Sequence, residues 1–158
     1  YDWLLRQLEA WGSLLREESP AAHDQAMQMI QAMRHFTTIA YGVFLSRQPA
    51  DLERLLRLSS PIYRLELAMV GRLFAQSPML YADIMLQADA LPELISDYRH
   101  ALDELLALVR SDDREGLISR FREVQGYFGD LAPKLLKESA ELLRKMHDAQ
   151  GVVTPRSA

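Results

Sequence analysis

Residues 58–78 read LSSPIYRLELAMVGRLFAQSP, and the way they fold sets the class of the whole chain. Ser60 stands where a helix N-cap belongs, and Pro61 takes the first helical position, where its missing N–H costs nothing. From Pro61 to about Gln76 apolar residues recur at helical intervals, and Ser77-Pro78 repeats the start signal for another helix through Leu86.

Outward from this block, Pro and Gly cut the chain into further segments with an apolar period of three or four. None alternates with period two for long enough to be a strand. On the N-terminal side the pattern predicts a helix over about Tyr1 to Glu17, ended by Ser19-Pro20, and a long one over about Ala22 to Ser46. Arg34 is the only charge between Asp24 and Arg47, so the long helix is expected to be hydrophobic nearly all round and central to the core. Asp51 to Leu58 makes a short helix. On the C-terminal side a helix opens between Asp89 and Pro92 and runs to about Arg110, after which Ser111-Asp112-Asp113 caps the last long segment. There Leu117, Phe121, Val124, Phe128, Leu131 and Leu135 alternate in steps of four and three, a seam for another helix. Pro133 predicts a kink or restart near Gly129-Asp130. The expected fold is all-α, a multi-helix bundle of about seven helices forming a single domain over 1–158. The apolar content also suffices to bury a subunit interface.

Composition removes whole function classes. The 158 residues include no cysteine, which excludes thiol nucleophiles and Cys-based metal sites. With 18 Lys and Arg against 22 Asp and Glu, the formal charge of -4 gives no footprint for nucleic acid or an anionic membrane. The longest uncharged stretch, Phe36 to Ser46, is too short to span a bilayer. No glycines are spaced to cradle a phosphate, and no histidine lies three or four residues from another, so neither a nucleotide loop nor a paired-histidine zinc site is expected. The chain opens at Tyr1 in running helix, so it is expected to be a piece of something longer.

Two groups of residues could carry chemistry. Gln28, Gln31, His35, Thr38 and Gly42 form a narrow polar stripe on the long apolar helix, facing either a satisfied core network or a ligand. In the second group, Arg64 and Arg72 are set among large apolar residues about 80° apart around the helix and roughly 12 Å along it, close enough to reach one cleft. Guanidinium forks suit carboxylates, whether those of the domain itself, with Glu66 one candidate, or those of a substrate. Gly71 beside Arg72 suggests the close approach of another backbone or a ligand. His23, His100 and His147 read as surface residues.

Residues 31–38 (QAMRHFTT), 58–76 and 80–84 (LYADI) together resemble the C-terminal helical domain of prephenate dehydrogenases, most closely the dehydrogenase part of bifunctional chorismate mutase/prephenate dehydrogenases. Trp3, Trp11-Gly12, Tyr127-Phe128-Gly129-Asp130 and Lys137-Glu138-Ser139 extend the similarity over almost the whole chain. The resemblance implies a helical domain like that following the Rossmann domain in 6-phosphogluconate dehydrogenase. It also implies a cytoplasmic enzyme of L-tyrosine biosynthesis that oxidatively decarboxylates prephenate to 4-hydroxyphenylpyruvate with NAD+. The family's Gly-rich nucleotide loop and catalytic histidine belong to an N-terminal Rossmann domain. This chain is therefore expected to supply a homodimer interface and one wall of the substrate cleft, to be inactive alone, and to hold no catalytic, cofactor-binding or metal residue.

Carried over by position, the resemblance makes Arg72 the arginine that binds a substrate carboxylate. His35 becomes the cleft histidine linked to substrate binding and to inhibition by L-tyrosine, and Tyr81 a position associated with that feedback. Arg64 matches a supporting arginine, and Gln31 joins the substrate wall through the polar stripe. Tyr41 and Phe44 depart from the Asn and His that relatives carry. Two alternatives stand beside this reading: a module that mainly senses L-tyrosine and sets the subunit arrangement, and a helical adaptor whose Arg64 and Arg72 are both paired within the domain.

Overall fold

A computed structural model describes residues 1–149, with side chains to 146, so the side chain of His147 lies outside the described residues. Among them every regular element is a helix: α1 (Asp2–Ala10), α2 (Pro20–Met27), α3 (Arg34–Ser46), α4 (Leu52–Leu58), α5 (Pro61–Phe74), α6 (Pro78–Leu86), α7 (Leu91–Arg110), α8 (Arg114–Phe128) and α9 (Leu131–Ala149). A π-helical turn, Gln28–Met33, joins α2 to α3 without a break, so the nine helices form eight rods.

The start signals work as the chemistry requires. Ser60 Oγ accepts the Tyr63 backbone N–H at 3.3 Å, and Ser19 Oγ accepts that of Ala22 at 3.1 Å, each with a proline opening the helix. Asp51 and Asp113 cap α4 and α8 in the same way. Because Ser60 fixes where α5 begins, Ser60→Ala is expected to destabilise the fold by about 1 kcal/mol, the usual worth of an N-cap, measurable by urea unfolding. An unchanged midpoint would show that Pro61 alone sets the start.

One boundary differs from the sequence reading, and the restart expected near Gly129-Asp130 is present. The first helix stops at Ala10, well short of Glu17. Gly12 takes φ +84, its N–H bonds the Glu9 carbonyl at 2.8 Å and the Ser13 N–H bonds Leu8 at 3.0 Å, the paired bonds of a Schellman stop. Leu14, counted in the apolar stripe, is left 86% exposed. In the C-terminal segment the chain restarts at Gly129, whose φ of +46 separates α8 from α9 and leaves Pro133 in the first turn of α9.

The long central rod packs against α5, α6 and α7. Ala32 and Met33 from its π turn meet Ala88 and Leu91, with Phe36, Met85, Leu94 and Ile95 around them. The rod is not buried all round, since Met29, Ile30 and Phe44 stay more than half exposed. Further out the core thins: α8 buries no residue, and besides Leu108 over Gly116 its tie to α7 is the exposed Arg120–Glu104 ion pair, which adds little. No helix among the described residues is long and apolar enough to cross a membrane.

Candidate functional site

The π turn decides which side chains meet. Accommodating an extra residue in one turn rotates everything before it by roughly 100° against everything after it. The stripe that a uniform helix would align is thus split. Gln31 is exposed and lines a cleft of about 310 Å³ with Asp24 and Gln87, while Gln28 Oε1 is buried there without a hydrogen-bond partner among the described residues. Downstream of the turn, Arg34 and His35 point towards α5 and α6, and Gly42 lies against the Phe74 ring.

His35, Arg72 and Tyr81 come together. They line one cleft of about 220 Å³ with Arg34, Met69, Leu73 and Gln76, between α3, α5 and the start of α6. Each is placed for a local reason. Arg72 lies in the last turn of α5, where the helix dipole favours a cation, and the Gln76 amide donates to its carbonyl at 3.0 Å. Tyr81 is buried in the first turns of α6, set by the Ser77-Pro78 start. The His35 ring meets Tyr81 edge to face, with centroids 4.8 Å apart and planes at 69°. Burial holds the His35 pKa below its ordinary value, and the Arg34 charge beside it acts in the same direction, so the imidazole is neutral at pH 7.

Arg64 and Arg72 do not share a cleft. Arg64 opens α5 and lines a separate hollow of about 280 Å³ with Leu56, Arg57, Pro61 and, from α9, Leu143 and Met146. Eight residues of helix carry the two guanidiniums to different neighbours, and only the packing of α9 fixes which. Neither arginine has a carboxylate within 4.0 Å among the described residues, so the pairing with Glu66 does not occur. The space beside Gly71 is open: a Cβ there would meet nothing within 4 Å.

Sequence reasoning passed over Arg34, although its isolation as the sole charge between Asp24 and Arg47 was the available signal. Arg34 donates to the Thr38 hydroxyl, which in turn donates to the Arg34 carbonyl at 2.8 Å. It also lines an adjoining cleft of about 420 Å³ with Thr37, Tyr41, Glu66, Met69 and Tyr98. Here the Tyr41 hydroxyl donates to Tyr63 Oη at 3.5 Å. That bond, with burial and the charges of Tyr63 and Glu66, pushes the Tyr41 pKa up to about 12. Tyr41 and Phe44, the two departures from relatives, stack on each other away from the His35 cleft.

The comparisons agree with the architecture. Residues 19–123 match the family model described as the prephenate dehydrogenase dimerization domain. The chain is 48% identical over 150 residues to the T-protein of Enterobacter agglomerans, covering 95% of this chain and 40% of that protein. It is 47% identical over 148 residues to the T-protein of Haemophilus influenzae, covering 94% and 39%. A probable arogenate/prephenate dehydrogenase of Methanocaldococcus jannaschii is 31% identical over 115 residues, covering 73% and 26%. The chain thus spans about two fifths of the length of the T-proteins it matches. By its helices and by the match over residues 19–123, it belongs to the prephenate dehydrogenase dimerization-domain family.

Proposed function

We propose that this chain is the substrate-binding and dimerisation half of an NAD+-dependent prephenate dehydrogenase. In the complete enzyme, prephenate is oxidatively decarboxylated to 4-hydroxyphenylpyruvate, in the cytoplasm. The observation that carries this reading is the meeting of Arg72, His35 and Tyr81 in one cleft, with Arg72 free of any carboxylate among the described residues. An unpaired guanidinium set beside Met69 and Leu73 is a strong partner for a carboxylate, because apolar neighbours weaken solvent screening. Neutral His35 can donate or accept a hydrogen bond to the ligand without adding charge.

The described residues do not fit NAD+: they hold no strand and no glycine-rich turn opening a helix to cradle a diphosphate. The proposal therefore puts the cofactor and the hydride step on a Rossmann domain outside this chain. The part of this chain is to bind and orient the substrate and to hold a homodimer together.

The edge-to-face contact of Tyr81 with His35 favours a second role at the same wall, the sensing of L-tyrosine. One assay tests both. The complete enzyme should reduce NAD+ only when prephenate is present, L-tyrosine should inhibit it, and Tyr81→Ala should relieve the inhibition by about tenfold, the scale of one lost aromatic contact. No prephenate-dependent turnover would sink the dehydrogenase reading, and unchanged inhibition in Tyr81→Ala the sensing role.

A further inference from the structure

We propose that Arg34 is a second anion anchor of the His35 cleft, taking one carboxylate of the dicarboxylate substrate while Arg72 takes the other. This rests on the prephenate reading above and assigns the second of that substrate's two charges.

Arg34 and Arg72 line the same cleft from different helices, Arg34 from the first turn of α3 and Arg72 from the last turn of α5. Arg34 follows the π turn inside a continuous rod that is otherwise free of charge from Gln25 to Ser46. No carboxylate of the described residues lies within 4.0 Å of it, and Glu66, the acid of the adjoining cleft, is no exception. A guanidinium has five N–H donors, and Thr38 is its one side-chain acceptor here. The remaining donors are available to a ligand. Thr38 is itself fixed, being buried and donating to the Arg34 carbonyl at 2.8 Å, so it holds the guanidinium in place before any ligand arrives.

The π turn supplies the reason for this placement. It ends at Met33, and the phase change it introduces turns Arg34 and His35 together towards α5. The cleft then presents two cations and one neutral imidazole, a charge pattern complementary to a dianion. A monoanion would leave one guanidinium without a partner.

The test uses the complete enzyme with Arg34→Gln, Arg34→Met and Arg34→Lys, and 4-hydroxyphenylpyruvate as a competitive probe that has lost the ring carboxylate and kept the side-chain one. The KM for prephenate should rise about tenfold or more in Arg34→Gln and recover in part in Arg34→Lys, with the KM for NAD+ unmoved. Arg34→Met keeps the stem packing and serves the same reading if Gln perturbs folding. The inhibition constant of 4-hydroxyphenylpyruvate should shift in only one of Arg34→Gln and Arg72→Ala, since it has one carboxylate for two anchors. Turnover with an unmoved prephenate KM in Arg34→Gln, or equal shifts of the inhibition constant in both variants, would overturn this inference alone. Loss of prephenate turnover in the unsubstituted enzyme would instead overturn the functional reading and this inference with it.

Discussion

Replacing Arg72 with Ala in the complete enzyme should raise the KM for prephenate by about 10- to 150-fold while leaving the KM for NAD+ nearly intact. A hydrogen-bonded guanidinium–carboxylate contact at a partly solvated site is worth roughly 1.5–3 kcal/mol, and each 1.4 kcal/mol is about a factor of ten. The cost should fall mainly on KM, because a carboxylate anchored away from the carbon that loses hydride is held about equally in the ground and transition states. Arg72→Lys should recover only part of the loss, since an ammonium keeps the charge but not the two-pronged geometry. The fold should survive both changes: Arg72 is exposed, its side chain makes no ion pair among the described residues, and the Gln76 amide bonds its backbone carbonyl, which Ala retains. Steady-state kinetics at saturating NAD+ read the effect directly. An unmoved prephenate KM would remove Arg72 from the site.

The elements that could be read from sequence are those whose signals are local. Ser-Pro at 60–61 and 77–78 each opens a helix, because a β-region N-cap followed by a residue with fixed φ favours that continuation, and Ser19-Pro20, read from the sequence only as a stop, opens one in the same way. The stop at Gly12 is equally local, resting on a glycine that takes φ +84, although Leu14 and Leu15 continue the apolar period beyond it. What stayed hidden depends on phase and on tertiary packing. Nothing in Gln28-Met29-Ile30-Gln31-Ala32-Met33 marks a π turn, since no Pro or Gly interrupts it, and the turn forms where Ala32 and Met33 dock on Ala88 and Leu91. That one extra residue moves Gln31 out of the cleft and brings Arg34 in. In the same way the hollow that Arg64 lines is completed by Leu143 and Met146 of α9, remote in sequence, and it is separate from the cleft of Arg72. The resemblance could single out His35, Arg72 and Tyr81 by position; that they share one cavity is a fact about how α3, α5 and α6 pack.

Placing charges in the α8 seam should dissociate the dimer. The chain exposes 13563 Å², whereas a compact monomer of 18.1 kDa exposes about 8,100 Å², so several thousand Å² wait for cover. An obligate interface hides about 1,000–2,500 Å² per partner, enough to account for a large share of the excess. The α8 residues Phe121, Val124 and Phe128 are 41–67% exposed and keep the spacing that suits a facing helix, whereas Leu131 and Leu135, which the sequence puts in the same seam, fall on α9 beyond the break at Gly129. The α8 side chains stay exposed beside α7 and α9, and a second copy would supply the facing helix. In a two-fold interface each substitution counts twice. For Phe121→Asp with Val124→Asp, the lost burial alone, at about 1.5 kcal/mol per side chain, sums to roughly 6 kcal/mol over the pair of subunits. The dimer Kd should therefore rise by about ten-thousandfold, before the cost of burying four carboxylates is added. Arg122→Gln, on the exposed polar face of the same helix, should leave the dimer unchanged. Sedimentation equilibrium of the complete enzyme distinguishes the outcomes. A doubly charged variant that still sediments as a dimer at micromolar concentration would move the interface elsewhere, and a monomeric wild type would leave the seam without a partner. Because the core among the described residues holds no large side chain less than 2% exposed, dissociation should also lower the thermal midpoint, coupling the loss of the partner to the loss of the fold.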